Sequence, residues 1–180
     1  VESGKLVSLV KPFIIMQNKI RHAHLVEIAH RWVLKNTSCG VAFKELSTQS
    51  SNGEQPDVIG FGSGGHSVLI ECKTSRADFF ADRKKPFRLF SELGMGSQRF
   101  YCCPKDLIKI SDLPLGWGLI YVDEKHKARQ VYKTYQGNIG ERTNTQPKHL
   151  KAEHELMYSA LRRLHLQGRI DEIYQNPRNS

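Results

Sequence analysis

The stretch Asp57–Lys73 (DVIGFGSGGHSVLIECK) constrains this chain more than any other. Two apolar runs of strand length, Asp57–Phe61 and Ser67–Lys73, flank the glycine-rich turn Gly62–Gly65, a pattern that folds as a β-hairpin. The second run, VLI, leads directly into Glu71-Cys72-Lys73. Side chains two apart on a strand share a face, so Glu71 and Lys73 project together and Cys72 points the other way. The hairpin brings Asp57, preceded by Pro56, alongside them.

The rest of the chain supplies a sheet and its cover. Leu25, Ile28, Ala29, Trp32 and Val33 recur at helical spacing within Asn18–Lys35, and Asn36–Gly40 ends that helix. Val41–Leu46 reads as a strand, and the polar run Ser47–Gln55 as a loop. Ser75 and Asp78 fit a capping box, so a helix is expected over Ser75–Lys84, limited or kinked by Pro86. Arg99–Cys103 is the next strand, and Gly118–Asp123 with Ala128–Tyr135 forms a second hairpin. Gln136–Gln146 reads as a linker. Past Pro147, Leu150, Met157, Leu161 and Leu164 predict a C-terminal helix ending near Gly168. The expected architecture is α/β, an αβββαβ core with a mixed central sheet flanked by helices and an extra C-terminal hairpin and helix. Residues 1–17 read as a leader, 18–135 as the domain, and 136–180 as linker and C-terminal helix.

Charge narrows the partner class. Lys and Arg number 27 against 18 Asp and Glu, a net of +9, and such a surface attracts polyanions, nucleic acid foremost. No apolar run approaches the length needed to cross a bilayer, so no membrane role is expected. The four cysteines form no CxxC pair, and Cys102 and Cys103 are adjacent, which suits a reducing cytoplasm better than a disulfide framework.

Asp57 and Glu71 make a hard-oxygen site suited to Mg²⁺, completed by waters, a substrate phosphate and the Cys72 backbone carbonyl. Lys73 can orient or deprotonate an attacking water, or neutralise charge on the phosphate. The same letters would also serve as a surface Glu–Lys pair at a strand end. Between Glu71 and Arg88 the chain carries six positive and three negative side chains. Arg76, at a helix start, and the Arg83, Lys84 and Lys85 cluster are candidate phosphate contacts. Gln98 and Arg99 open the next strand on opposite faces, so at most one of them reaches a scissile phosphate.

Pro56-Asp57 followed by Glu71-Cys72-Lys73 within this element order resembles the PD-(D/E)xK nuclease superfamily, the restriction-endonuclease-like fold. The stretch Glu71–Lys84 (ECKTSRADFFADRK), with Arg99–Pro104 and Leu113–Asp123, is similar to its MmcB-like DNA-repair and phage-associated branch. The resemblance spans Asn18–Lys133. It implies Asp57 and Glu71 as ligands of Mg²⁺ or Mn²⁺, Lys73 as the catalytic lysine, and hydrolysis of phosphodiester bonds in DNA, with RNA left open. Some members add a ligand from the first helix, and Glu27 is the matching position, although the helical pattern sets it opposite the apolar stripe. Many members act as homodimers. The expected function is a Mg²⁺-dependent nuclease, with a catalytically inactive DNA-binding module of the same fold as the alternative.

Overall fold

A computed structural model describes residues 20–134 and 146–175. Ten helices and strands run in the order α1 (His22–Asn36), β1 (Val41–Lys44), β2 (Val58–Phe61), β3 (Ser67–Cys72), α2 (Arg76–Asp82), α3 (Pro86–Leu89), β4 (Gln98–Pro104), β5 (Trp117–Val122), β6 (Ala128–Tyr132) and α4 (Leu150–Leu166). The strands form one mixed sheet in the order β1-β2-β3-β4-β5-β6. Pairs β1–β2, β2–β3 and β5–β6 are antiparallel, while β3–β4 and β4–β5 are parallel. The parallel step from β3 to β4 needs a crossover, which α2 and α3 provide.

Alternation along the strands divides the core in two. Val58, Val68, Ile70, Cys72, Phe100, Cys102 and Ile120 pack against Leu25, Ala29, Trp32 and Val33 of α1. Ile59, Leu69, Tyr101, Trp117 and Leu119 pack on the other face with Phe79 of α2 and with Ala152 and Leu156 of α4. Each such aliphatic side chain contributes about 1.5–3 kcal/mol on burial. Gly60 permits the close approach of α1: a Cβ there would lie 2.4 Å from Val33 Cγ1. Asp57 and Glu71 share the parity of Ile59 and Leu69, so the strands deliver them to the α2 side of the sheet.

The expected strands and helices are present with boundaries shifted by a few residues. Ser75 caps α2 by accepting the Asp78 N–H at 3.2 Å, and Pro86 starts a new short helix instead of kinking the old one. Two readings are corrected at the C-terminus. The helix does not bury Leu150, Met157 and Leu161, which are exposed; it buries Ala152, Glu153 and Leu156. The reason is polar: Glu153 accepts from the Ser67 hydroxyl at 2.6 Å and the Gly96 N–H at 2.8 Å and pairs with Lys148, so a carboxylate sets the inward face. Consequently α4 is layered on the sheet and does not stand beyond the domain. The expected leader and all of the expected linker except Gln146 lie outside the described residues. Among the described residues no helix is long and apolar enough to cross a membrane.

Candidate active site

The C-terminal end of β3 is where the sheet, α1 and α2 bring their polar residues together. The register Val58↔Ile70 continues to set Asp57 opposite Glu71, with their Cβ atoms about 4.5–5.5 Å apart in such a cross-strand pair. Asp57 Oδ2 accepts the Cys72 backbone N–H at 2.7 Å, which fixes the carboxylate at the strand end. One step further the register places Pro56 opposite Cys72. Lys73 N–H donates to Cys102 on the β4 side and Glu45 N–H donates to Asp57 on the β1 side, so alternation aims the Cys72 carbonyl at β2. Proline has no N–H to offer it there. The Pro-Asp pair thus anchors one carboxylate and leaves the Cys72 carbonyl oxygen without a donor from β2.

Glu71 and Lys73 are both buried. Lys73 Nζ lies 3.4 Å from Glu71 Oε2, 3.5 Å from Asp82 Oδ1 and 3.8 Å from Asp78 Oδ2. Burial alone would lower the Lys73 pKa, but the charges of Glu71, Asp82, Asp78 and Asp57 outweigh it and raise it. Lys73 is therefore an ammonium ion at neutral pH. Of the roles open to it in the sequence, deprotonating water is the one this environment disfavours, while orienting water and neutralising charge remain.

Burial, with the Asp57 and Asp82 charges, pushes the Glu71 carboxyl up to about 7 against the pull of Arg88 and Lys73. Arg88 Nη2 lies 2.7 Å from Glu71 Oε1, although that oxygen receives no aligned hydrogen bond. Arg88 also pairs with Glu54 and, at 2.9 Å, with Asp82 Oδ2. Its guanidinium lies over the Phe87 and Trp117 rings, 4.7 and 5.0 Å from their centroids. Asp82 accepts in addition from the Tyr101 hydroxyl at 2.9 Å. Desolvation would raise the Asp82 pKa, yet Arg88 and Lys73, with Lys85 behind them, hold it well below the usual carboxylate range. A depressed carboxyl stabilises the fold above its unfolded pKa, near 3.8, and that stabilisation is lost as pH falls through the folded value. Urea midpoints should therefore drop steeply below about pH 4, and Asp82→Asn should flatten that dependence.

Sequence reasoning missed several members of this cluster. His22, in the first turn of α1, sets Nε2 3.4 Å from Asp57 Oδ2 and Nδ1 3.6 Å from Glu45 Oε1. One potential ligand atom from each of His22, Glu45 and Asp57 lies within 4.8 Å of the others. Glu54, in the loop read as polar, is fully buried beneath Arg88. Nothing in the spacing of His22, Glu45, Glu54 or Arg88 announces this; a long-range contact brings each to its place.

Three other candidates, Arg99, Gln98 and Glu27, do not join this cluster. Arg99 is buried, and its Nε and Nη2 donate to the carbonyls of Met95, Gly96, Ser91, Gly94 and Pro147, so it clasps backbone and offers nothing to a phosphate at the site. Gln98 is buried opposite Val68 on the α1 side of the sheet, away from Glu71. Glu27 is a surface residue paired with Lys44, not with Asp57. Arg88, the last of the six positive side chains counted between Glu71 and Arg88, is buried. Arg76 is exposed but tied to Asp112 Oδ2 at 2.8 Å and lies over Phe80. Lys85 pairs with Asp82 at 2.8 Å, Lys84 is exposed, and Arg83 is half-buried over Phe79 and Phe80. Trp117 and Tyr101 stack in the core, 4.4 Å between centroids.

No family model and no curated protein matches this chain. A solved structure does: a Silicibacter pomeroyi protein of unknown function superposes with a TM-score of 0.55 at 23% identity, over 89% of this chain and 98% of that one. At that identity the likeness is one of fold alone: an α/β layer structure on a six-stranded mixed sheet.

Proposed function

We propose that this protein is a metal-dependent nuclease with a restriction-endonuclease-like core, cleaving phosphodiester bonds in DNA. The observation that carries the reading is the convergence of Asp57, Glu71 and a buried, cationic Lys73 at one strand end. The donors fit a hard divalent cation: Asp57, Glu71 and the Cys72 carbonyl offer oxygen, and His22 stands beside Asp57. When bound, Mg²⁺ or Mn²⁺ supplies Lewis-acid polarisation of the phosphate and a lowered water pKa.

The chain's own residues do the rest. Asp57 is held rigid by the Cys72 N–H, and Glu71 is held by Arg88. Lys73, kept protonated by its carboxylate neighbours, orients the nucleophilic water and offsets negative charge on the phosphorane as the P–O bond breaks. Arg83, Lys84 and Lys85, with Arg76, form the basic edge where the DNA backbone lies. A binding module without catalysis is the second reading, favoured by one observation: both Glu71 oxygens already face cations, Arg88 and Lys73.

The test is direct. Purified protein should cut DNA with Mg²⁺ or Mn²⁺ and not with EDTA, and a crystal soaked in Mn²⁺ should show the ion between Asp57 and Glu71. DNA binding without metal-dependent cleavage would favour the binding module. His22→Ala should weaken Mn²⁺ affinity, read by calorimetry, by about 10-fold or more. An unchanged affinity would remove His22 from the site.

A further inference from the structure

Arg99 presents an unusual electrostatic situation outside the candidate active site. Its five hydrogen bonds all go to neutral backbone carbonyls. Its Nη1 has no acceptor, and no carboxylate lies within ion-pairing distance, among the described residues. Arg88, by contrast, is surrounded by three carboxylates. The charges of Glu54, Glu153 and Glu92 act on Arg99 only from beyond ion-pairing distance; a buried guanidinium without a contacting counter-ion is costly, and an anion seated against it would lower that cost.

A place for one exists. Arg99 and Arg88 line a cavity of about 300 Å³ whose walls include Leu89, Leu115 and Trp117, with Ser91 at its side. That volume exceeds what a carboxylate or phosphate group needs and leaves room for an apolar side chain. The surroundings agree: Leu89, Phe90, Leu93 and Leu115 all expose their side chains, with Leu115 fully solvated. Among the described residues no lysine lines the cavity. A groove that tracks a nucleic-acid backbone carries basic residues along its rim, whereas the exposed apolar side chains lining this cavity are Leu89 and Leu115.

We propose that this cavity is a docking site for an acidic partner peptide, seating its free C-terminal carboxylate on Arg99 and its terminal apolar side chain between Leu89 and Leu115. Charge complementarity argues for the occupant: the Arg99 guanidinium is the cationic part of the cavity, since Arg88 is already matched by Glu54, Glu71 and Asp82, and the chain as a whole carries +9. The apolar terminal residue supplies the anchor, and preceding acidic residues supply long-range attraction.

The test uses the full chain and a fluorescein-labelled peptide of aspartates ending in a phenylalanine with a free carboxylate, followed by anisotropy. Saturable binding with a Kd of about 10 µM is expected. The same peptide with a C-terminal amide should bind at least about tenfold more weakly, as should the free acid to Leu115→Glu or Leu89→Glu. Both leucines are exposed, so these variants should fold, and Tm measurements check it. No saturation by about 1 mM, or equal binding of acid and amide, or unchanged binding by both leucine variants, would overturn the proposal. Displacement of the peptide by a 5′-phosphorylated oligonucleotide, lost in Leu115→Glu, would also overturn it and assign the cavity to nucleic acid.

Discussion

Lys73→Met should lower the rate of metal-dependent DNA cleavage by about 10³-fold while leaving DNA affinity, measured with Ca²⁺ in place of Mg²⁺, within about threefold of wild type. The reasoning rests on the environment of the ammonium. Lys73 has carboxylates of Glu71, Asp82 and Asp78 within 4 Å and is nearly sealed from water, so its charge acts in a medium where fixed electrostatics count for more than in solution. In the proposed mechanism it adjoins the place where phosphate charge builds, yet it is too buried to contribute much to general attraction of the polyanion. A loss confined to the chemical step is the expected signature. Methionine keeps the stem and its packing, which alanine would not. Equal cleavage by wild type and Lys73→Met would sink the catalytic assignment, and a parallel loss of binding would move Lys73 to the DNA-contacting surface. Asp57→Asn should act differently. It keeps an acceptor for the Cys72 N–H but removes charge from the ligand set, so added Mn²⁺ should recover part of its activity.

The second large effect concerns stability. Arg88→Met should cost about 3–5 kcal/mol, because the substitution leaves Glu54, Glu71 and Asp82 buried together without their common counter-charge. For a chain of this size that corresponds to a fall in Tm of about 10 °C or more. The loss is mainly that of orphaned carboxylates, not of a single favourable bond. Adding Glu54→Gln to Arg88→Met should therefore restore part of the stability, although Glu54→Gln alone destabilises by removing a partner of Arg88. Calorimetry on the two single variants and the double variant decides the matter. Additive losses would show that the contacts of Arg88 with the Phe87 and Trp117 rings, rather than charge compensation, dominate at this position.

Much of this molecule was legible in one dimension. The β2–β3 hairpin, the helix before it, the capping at Ser75 and the parity that sends Glu71 and Lys73 to one face all depend on neighbours within a few residues. They follow from period-2 and period-3.6 patterns and from glycine, proline and serine chemistry. The C-terminal helix was legible as a helix, but its buried face was not. An apolar repeat pointed to Leu150, Met157 and Leu161, while Glu153, joined to Ser67, Gly96 and Lys148, turned the other side inward.

The candidate site divides along the same line. Asp57, Glu71 and Lys73 belong to one hairpin, and strand alternation with a short turn brings them near one another whatever the rest of the chain does. The fate of each charge around them is a tertiary matter. Arg88 and Arg99 are both arginines in a basic stretch, yet one gathers three carboxylates from distant segments and the other clasps five carbonyls, and neither is free to meet DNA. His22 reaches Asp57 because α1 packs across β1 and β2, and Glu54 is buried because the loop before β2 folds down onto α3. By itself the sequence determined which carboxylates and which lysine share a strand end, because local geometry alone sets that. Tertiary structure decided which cations remain available and which are consumed, because burial and the long-range pairing of charges depend on contacts that no local pattern encodes.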